Sequence, residues 1–175
     1  MMDIGLLLLR AVIGLLMAGH GAQKLFGWFG GHGVPGTAGF LESLGWRPGR
    51  AFALLLGAAE LVGGLALALG FATPFAAAVL MAVLANAALV VHGRHGLWNT
   101  AGGFEYPLAL IGSTLALAFT GPGRFSLDHL VGWATSGPVW GFAAVVVAML
   151  GLVVGMAAHE RGARAGHDQT LGQAA

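Results

Sequence analysis

Five apolar runs follow one another along the chain, separated by short stretches rich in glycine, proline or polar residues: Ile4 to Ala22, Ala51 to Leu69, Pro74 to Val91, Phe104 to Phe119 and Val139 to Ala157. About 17–25 apolar residues cross a hydrocarbon core of roughly 30 Å at 1.5 Å per residue, and each run is at or near that length. The pattern therefore predicts transmembrane helices. The first opens Met1-Met2-Asp3, without the basic cluster of a cleaved signal peptide, and reads as a retained helix. Gly70 to Thr73 predicts a tight hairpin, with Thr73 as N-cap of the third helix and Pro74 in its first turn, where a missing N–H costs nothing. Gly121-Pro122-Gly123 closes the fourth helix and Ser136-Gly137-Pro138 opens the fifth. From residue 158 to 175 the chain turns polar and small, the pattern of a disordered tail.

The connection between the first two runs, about 25 residues, is too long for a bare connector in a bundle. Gly30, Gly31 and Gly33 break the chain there. Thr37 is placed to cap a short helix whose Phe40, Leu41 and Leu44 share a face before Gly45 stops it. With Trp28 and Trp46 on its flanks, this segment predicts an amphipathic helix lying in the membrane interface, where indole rings settle. The fold class expected is an all-α membrane bundle of four or five spans with one interfacial helix.

Composition agrees and narrows the chemistry. Hydrophobic residues make up 57% of the chain and charged ones 9%, far from the roughly 25% charged of a soluble domain. A net charge of +1 offers nothing to nucleic acid. The absence of cysteine excludes disulfides, Cys-ligated iron–sulfur or zinc sites and any thiol relay through the chain's own residues. With five spans, Lys24, Arg47, Arg50, Arg94, Arg161 and Arg164 fall on one side, and Arg10 and Arg124 on the other. Because basic residues are retained in the cytoplasm, this bias predicts an outside N-terminus and a cytoplasmic C-terminus in the cell membrane.

Ionisable residues are costly within hydrocarbon, so their placement is informative. Arg10, Gly14, Met17, Gly21 and Lys24 share one face of the first helix; Gly57, Glu60 and Gly64 share one of the second; Glu105, Ala109, Gly112 and Ala116 share one of the fourth. Each charge is therefore expected to point into the bundle, with Arg10 and Glu60 as its central buried ion pair. The fifth helix carries a stripe of small residues, Ala144, Ala148, Gly151 and Gly155, and is expected to serve packing. A second constellation, His20, Gln23, Lys24, Asn86, His92, Glu105 and Tyr106, is expected to gather at the cytoplasmic mouth. No two of the seven histidines stand at i, i+4, so no metal site is expected. A haem held between His20 and His92 is the less favoured reading, since imidazoles near helix ends are usually hydrogen-bonded. No residue is singled out as catalytic.

The segments His20-Gly21-Ala22-Gln23-Lys24-Leu25-Phe26-Gly27, Gly36-Thr37-Ala38-Gly39-Phe40-Leu41-Glu42-Ser43-Leu44-Gly45, Glu60-Leu61-Val62-Gly63-Gly64, Gly102-Gly103-Phe104-Glu105-Tyr106-Pro107 and Gly121-Pro122-Gly123-Arg124-Phe125-Ser126-Leu127-Asp128 stand in this order. Together they resemble the DoxX family from about Ile4 to Leu130. That resemblance implies a four-helix membrane domain over residues 1–130, followed by a linker and a fifth helix over 131–157, which departs from the family plan, and the tail 158–175. It also implies a loose tie to redox biology, in which a relative forms the membrane part of a thiosulfate:quinone oxidoreductase. The expected function is a membrane subunit or accessory of a quinone-linked oxidoreductase or redox-stress complex. The alternative is a structural, partner-recruiting or small-solute carrier protein without redox chemistry. The partners open to such a chain are the lipid bilayer, a redox partner subunit and a further copy of itself.

Overall fold

The computed structural model describes the backbone of residues 1–173 and the side chains of residues 1–165. Its elements are helices throughout: α1 (Met2–Phe26), α2 (Gly33–Ser43), α3 (Gly49–Leu69), α4 (Thr73–Ala87), α5 (Glu105–Thr120), the single turn α6 (Leu127–Leu130) and α7 (Pro138–Gln173). Among the described residues, four helical segments are long and apolar enough to cross a membrane: Met2–Phe26, Gly49–Leu69, Thr73–His95 and Pro138–Ala165. The third of these is α4 extended through a wide turn at Ala88–His92 and a tight one at Gly93–His95. α5, at 16 residues, is shorter, about 24 Å at 1.5 Å per residue.

Small residues decide how these helices meet. α1 runs antiparallel along α3 in the most extensive contact of the bundle. A methyl group added at Gly14 would stand 2.5 Å from both Ala68 N and Gly64 O, and one added at Gly21 would meet Leu61 and Gly57 as closely. Seven-residue spacing on both helices, Gly14 to Gly21 and Gly57 to Gly64, thus presses two backbones together at two levels, the close approach that membrane helices use in place of hydrophobic drive. It also sets the register: Arg10 comes level with Gly70, and Glu60 with His20. α4 packs on α3, α5 and α7, and its buried face holds Ala76, Ala77, Leu80, Met81 and Leu84. The stripe Ala144, Ala148, Gly151 and Gly155 lies against α4, with Gly151 over Ala82 and Gly155 over Asn86. The outer surface is apolar: Leu8, Leu15, Leu55, Val62, Phe75, Val146 and Val153 are all exposed, as lipid-facing side chains are.

Several local expectations change. Thr73 does not cap α4: the N-cap is Ala72, in a left-handed conformation at φ 46°, and Thr73 is the first helical residue. The capping oxygens come instead from Asp128, 55 residues further along the chain. α2 begins four residues before Thr37, whose hydroxyl donates to Lys24 O at 3.5 Å and so ties α2 to the end of α1. Leu41 faces the bundle while Phe40 is exposed, so the two do not share a face, and Gly45, at φ 99°, follows the helix end. Beyond residue 157, where a disordered tail is expected, α7 continues to Gln173, with residues 174–175 outside the described ones. His159 Nε2 pairs with Leu44 O at 2.8 Å, and Gly162 lies against Gly45 and Arg47.

Candidate functional site

Polar side chains collect at both ends of the bundle. At the end formed by the C-terminus of α1, Lys24 Nζ donates to Glu60 Oε2 at 2.6 Å. The carboxylate is the more enclosed partner, with a side chain 7% exposed against 25% for the lysine. Glu60 is level with His20, so Lys24 reaches back one turn, about 6 Å, in the direction every helical side chain leans, toward its own N-terminus. His20, one turn from Lys24, has its Nδ1 3.1 Å from Gln23 Oε1, which accepts. Gln23 Nε2 donates to Phe29 O at 3.2 Å, fixing the turn after α1. From α5, the ring of Tyr106 stands 6.3 Å from that of His20 at a tilt of 59°. An ammonium, a carboxylate, an imidazole, an amide and a phenol thus come from three helices within two turns of one another. Such a set can hold and pass a proton or offer donors to a carbonyl.

Arg10 does not belong to it, and the expected Arg10–Glu60 pair does not form. The glycine register leaves the two about ten residues apart along the axis, roughly 15 Å, beyond any side chain's reach. Arg10 also leans the wrong way, toward its own N-terminus, where its Nη2 donates to Phe125 O and its Nη1 lies beneath Gly70. Three other expected members of the mouth serve elsewhere. Asn86 Nδ2 donates to Ala82 O at 2.9 Å, and its Oδ1 lies buried against Gly155 without a partner among the described residues. His92 Nδ1 pairs with Gly102 O at 2.8 Å, and Glu105 Oε2 accepts from Asn99 N at 2.9 Å. Both fix the loop between α4 and α5. The Glu105, Ala109, Gly112, Ala116 face is exposed, because Pro107, Leu110, Thr114, Leu117 and Ala118 are the residues of α5 that enter the core. His20 and His92, the pair a haem would require, are bonded to different partners.

The opposite end holds the residue that sequence reasoning passed over. Asp128 is fully buried, and its Oδ1 accepts from Ala72 N at 2.7 Å. Its Oδ2 accepts from Thr73 N at 3.0 Å, Thr73 Oγ1 at 2.8 Å and Thr135 Oγ1 at 2.9 Å. A carboxylate at the N-terminus of α4 meets both the free N–H groups and the positive end of the helix dipole. Its backbone joins in, Asp128 N donating to Gly70 O at 2.9 Å. The signal in the sequence was a lone acidic residue in the short segment after α5, and nothing local names its partners.

The profile of the DoxX family matches residues 5–93, from α1 through the wide turn after α4. Over 129 residues, 74% of this chain, the sequence is 30% identical to "Putative oxidoreductase CatD" of Bacillus subtilis, covering 88% of that protein. Over the same length it is 30% identical to "Inner membrane protein YqjF" of Escherichia coli, covering 93% of that one. No solved structure matches. The profile takes in Arg10, His20, Gln23, Lys24 and Glu60 together with the glycines that set their register, and on these matches the chain, a multi-pass membrane protein, belongs to the DoxX family.

Proposed function

We propose that this chain is an integral membrane subunit or accessory of a quinone-linked oxidoreductase, working with a partner protein. The observation that carries the reading is Glu60, a nearly enclosed carboxylate held at 2.6 Å by Lys24 at the level of His20, whose ring stands 6.3 Å from that of Tyr106. The name of the Bacillus subtilis relative supports a redox setting. Without cysteine, the chain needs electrons from a partner or from the quinone itself. The donor set fits a quinone head group: the imidazole of His20 and the phenol of Tyr106 offer hydrogen bonds to ring carbonyls, and their rings offer an aromatic wall. A bound quinone supplies two-electron chemistry linked to proton uptake. Glu60 and His20 would hold those protons, Lys24 would keep the carboxylate charged between turnovers, and Gln23 would hold His20 in place.

The test is a lipid extract of the protein purified in mild detergent. Quinone should accompany the wild-type protein and fall about tenfold in Tyr106→Phe, the loss of one hydrogen bond to a ring carbonyl. The variant's melting temperature, measured alongside, should stay within a few degrees of the parent's. Quinone-free wild-type protein, or equal quinone in the variant, would turn the assignment to a structural or carrier role.

The reading includes a topology. α5 crosses the bilayer with the four longer helices, and α2 lies in the interface with Phe40 and Trp28 turned to lipid. Five crossings then put the N-terminus outside and the C-terminus in the cytoplasm, on the side of Lys24, Arg47, Arg50, Arg94, Arg161 and Arg164. Alkaline phosphatase fused to the C-terminus should be inactive in cells; an active fusion would reverse this orientation.

A further inference from the structure

We propose that the groove between the N-terminal half of α1 and the segment 124–130 binds the anionic head group of a membrane lipid, with Arg10 and Arg124 as its cationic partners. The groove, about 450 Å³, is open and mainly apolar, and its walls include Leu7, Arg10, Leu69, Arg124, Phe125 and Leu130. Arg10 is 1% exposed, yet among the described residues only Nη2 has an acceptor, Phe125 O; Nε and Nη1 have none. Asp128 is occupied by four other donors and makes no ion pair with Arg10. A buried guanidinium with two idle nitrogens calls for an acceptor, and Arg10 is itself part of the groove's wall.

Arg124 gives the groove its second charge. Its backbone N–H donates to Asp3 Oδ1 at 2.9 Å, which fixes the segment, and its guanidinium makes no ion pair among the described residues. Guanidinium groups suit phosphate oxygens, which can accept two N–H bonds side by side. The surroundings distinguish a lipid from a soluble anion. Phe125 and Val131 are more than half exposed and Leu130 is 79% exposed, while Trp133 stacks on Phe71 with centroids 5.9 Å apart at 18°. An apolar, indole-bearing rim of this kind belongs in the head-group layer, and Leu7 and Leu69 continue the wall for an acyl chain.

Native mass spectrometry of the full chain in micelles, offered equal phosphatidylglycerol and phosphatidylcholine, tests this. One phosphatidylglycerol should be retained about tenfold over phosphatidylcholine, whose choline cation would stand against the same two guanidinium groups. That preference should disappear in Arg124→Gln and largely return in Arg124→Lys; Arg124 is exposed, so folding is not at stake. Equal retention of the two lipids, or a preference unchanged in Arg124→Gln, would overturn the proposal. Displacement of the phosphatidylglycerol by millimolar inorganic phosphate would also overturn it, by assigning the site to a soluble anion.

Discussion

Replacing Asp128 with alanine is expected to lower stability by about 4 kcal/mol, the cost of leaving several buried donors without an acceptor at about 1–3 kcal/mol each, partly relieved by the two hydroxyls turning elsewhere. The donors are Ala72 N, Thr73 N, Thr73 Oγ1 and Thr135 Oγ1, all within 3.0 Å of the carboxylate. Thr73, Thr135 and Asp128 are each buried, so water does not readily replace the lost acceptor. Two of the donors are N–H groups at the start of α4, where a lost side-chain cap alone costs about 1 kcal/mol. Asp128→Asn keeps the shape and one carbonyl oxygen but turns an N–H₂ toward donors, so it should lose roughly half as much. Reversible unfolding in mixed detergent micelles measures both. A change below about 1 kcal/mol in Asp128→Ala would show that the turn is held by its backbone bonds alone.

The same residue shows what a sequence can and cannot disclose in a membrane protein. The apolar runs announce helices plainly, because length and hydropathy are local: the run from Ala51 to Leu69 becomes α3, two residues longer at its start. Helix ends are less legible when their partners are distant. Thr73 has the right chemistry and position to cap α4, yet the oxygens that do so arrive from Asp128 after two intervening helices. Faces are less legible still where every side is apolar or small. On α5, Glu105, Ala109, Gly112 and Ala116 look like a packing stripe, but the core takes Leu110, Thr114, Leu117 and Ala118. In lipid, both stripes are affordable, so periodicity does not choose between them.

The candidate site was legible in its members more than in its pairing. Two cations lie on the inward face of α1 and one carboxylate on that of α3, so the question was which cation Glu60 takes. Matching the middles of the two spans favours Arg10. Two facts written in the sequence favour Lys24: the glycines at 14, 21, 57 and 64 can nest only in a register that brings Glu60 level with His20, and side chains lean toward the helix N-terminus. That lean carries Lys24 toward Glu60 and Arg10 away from it, into the turn around Gly70 and Phe125.

This assignment predicts an asymmetric double-mutant cycle at Lys24 and Glu60. Lys24→Met strands a carboxylate whose side chain is 7% exposed, and should cost about 3 kcal/mol, the lower end for removing one partner of a buried pair. Glu60→Leu strands an ammonium on the last turn of α1, with a side chain 25% exposed. A lysine so placed can snorkel to the boundary and meet the negative end of the helix dipole, so this change should cost only about 1 kcal/mol. The double variant removes both charges and both desolvation penalties, and should lie within about 1 kcal/mol of the parent, giving a coupling of about 3 kcal/mol. The companion cycle at Arg10 and Glu60 should be additive to within about 0.5 kcal/mol, because the glycine register keeps the two residues apart. If the Arg10 cycle shows the strong coupling and the Lys24 cycle does not, α1 and α3 meet in a different register. The assignment of Arg10 to the far groove would fall with it.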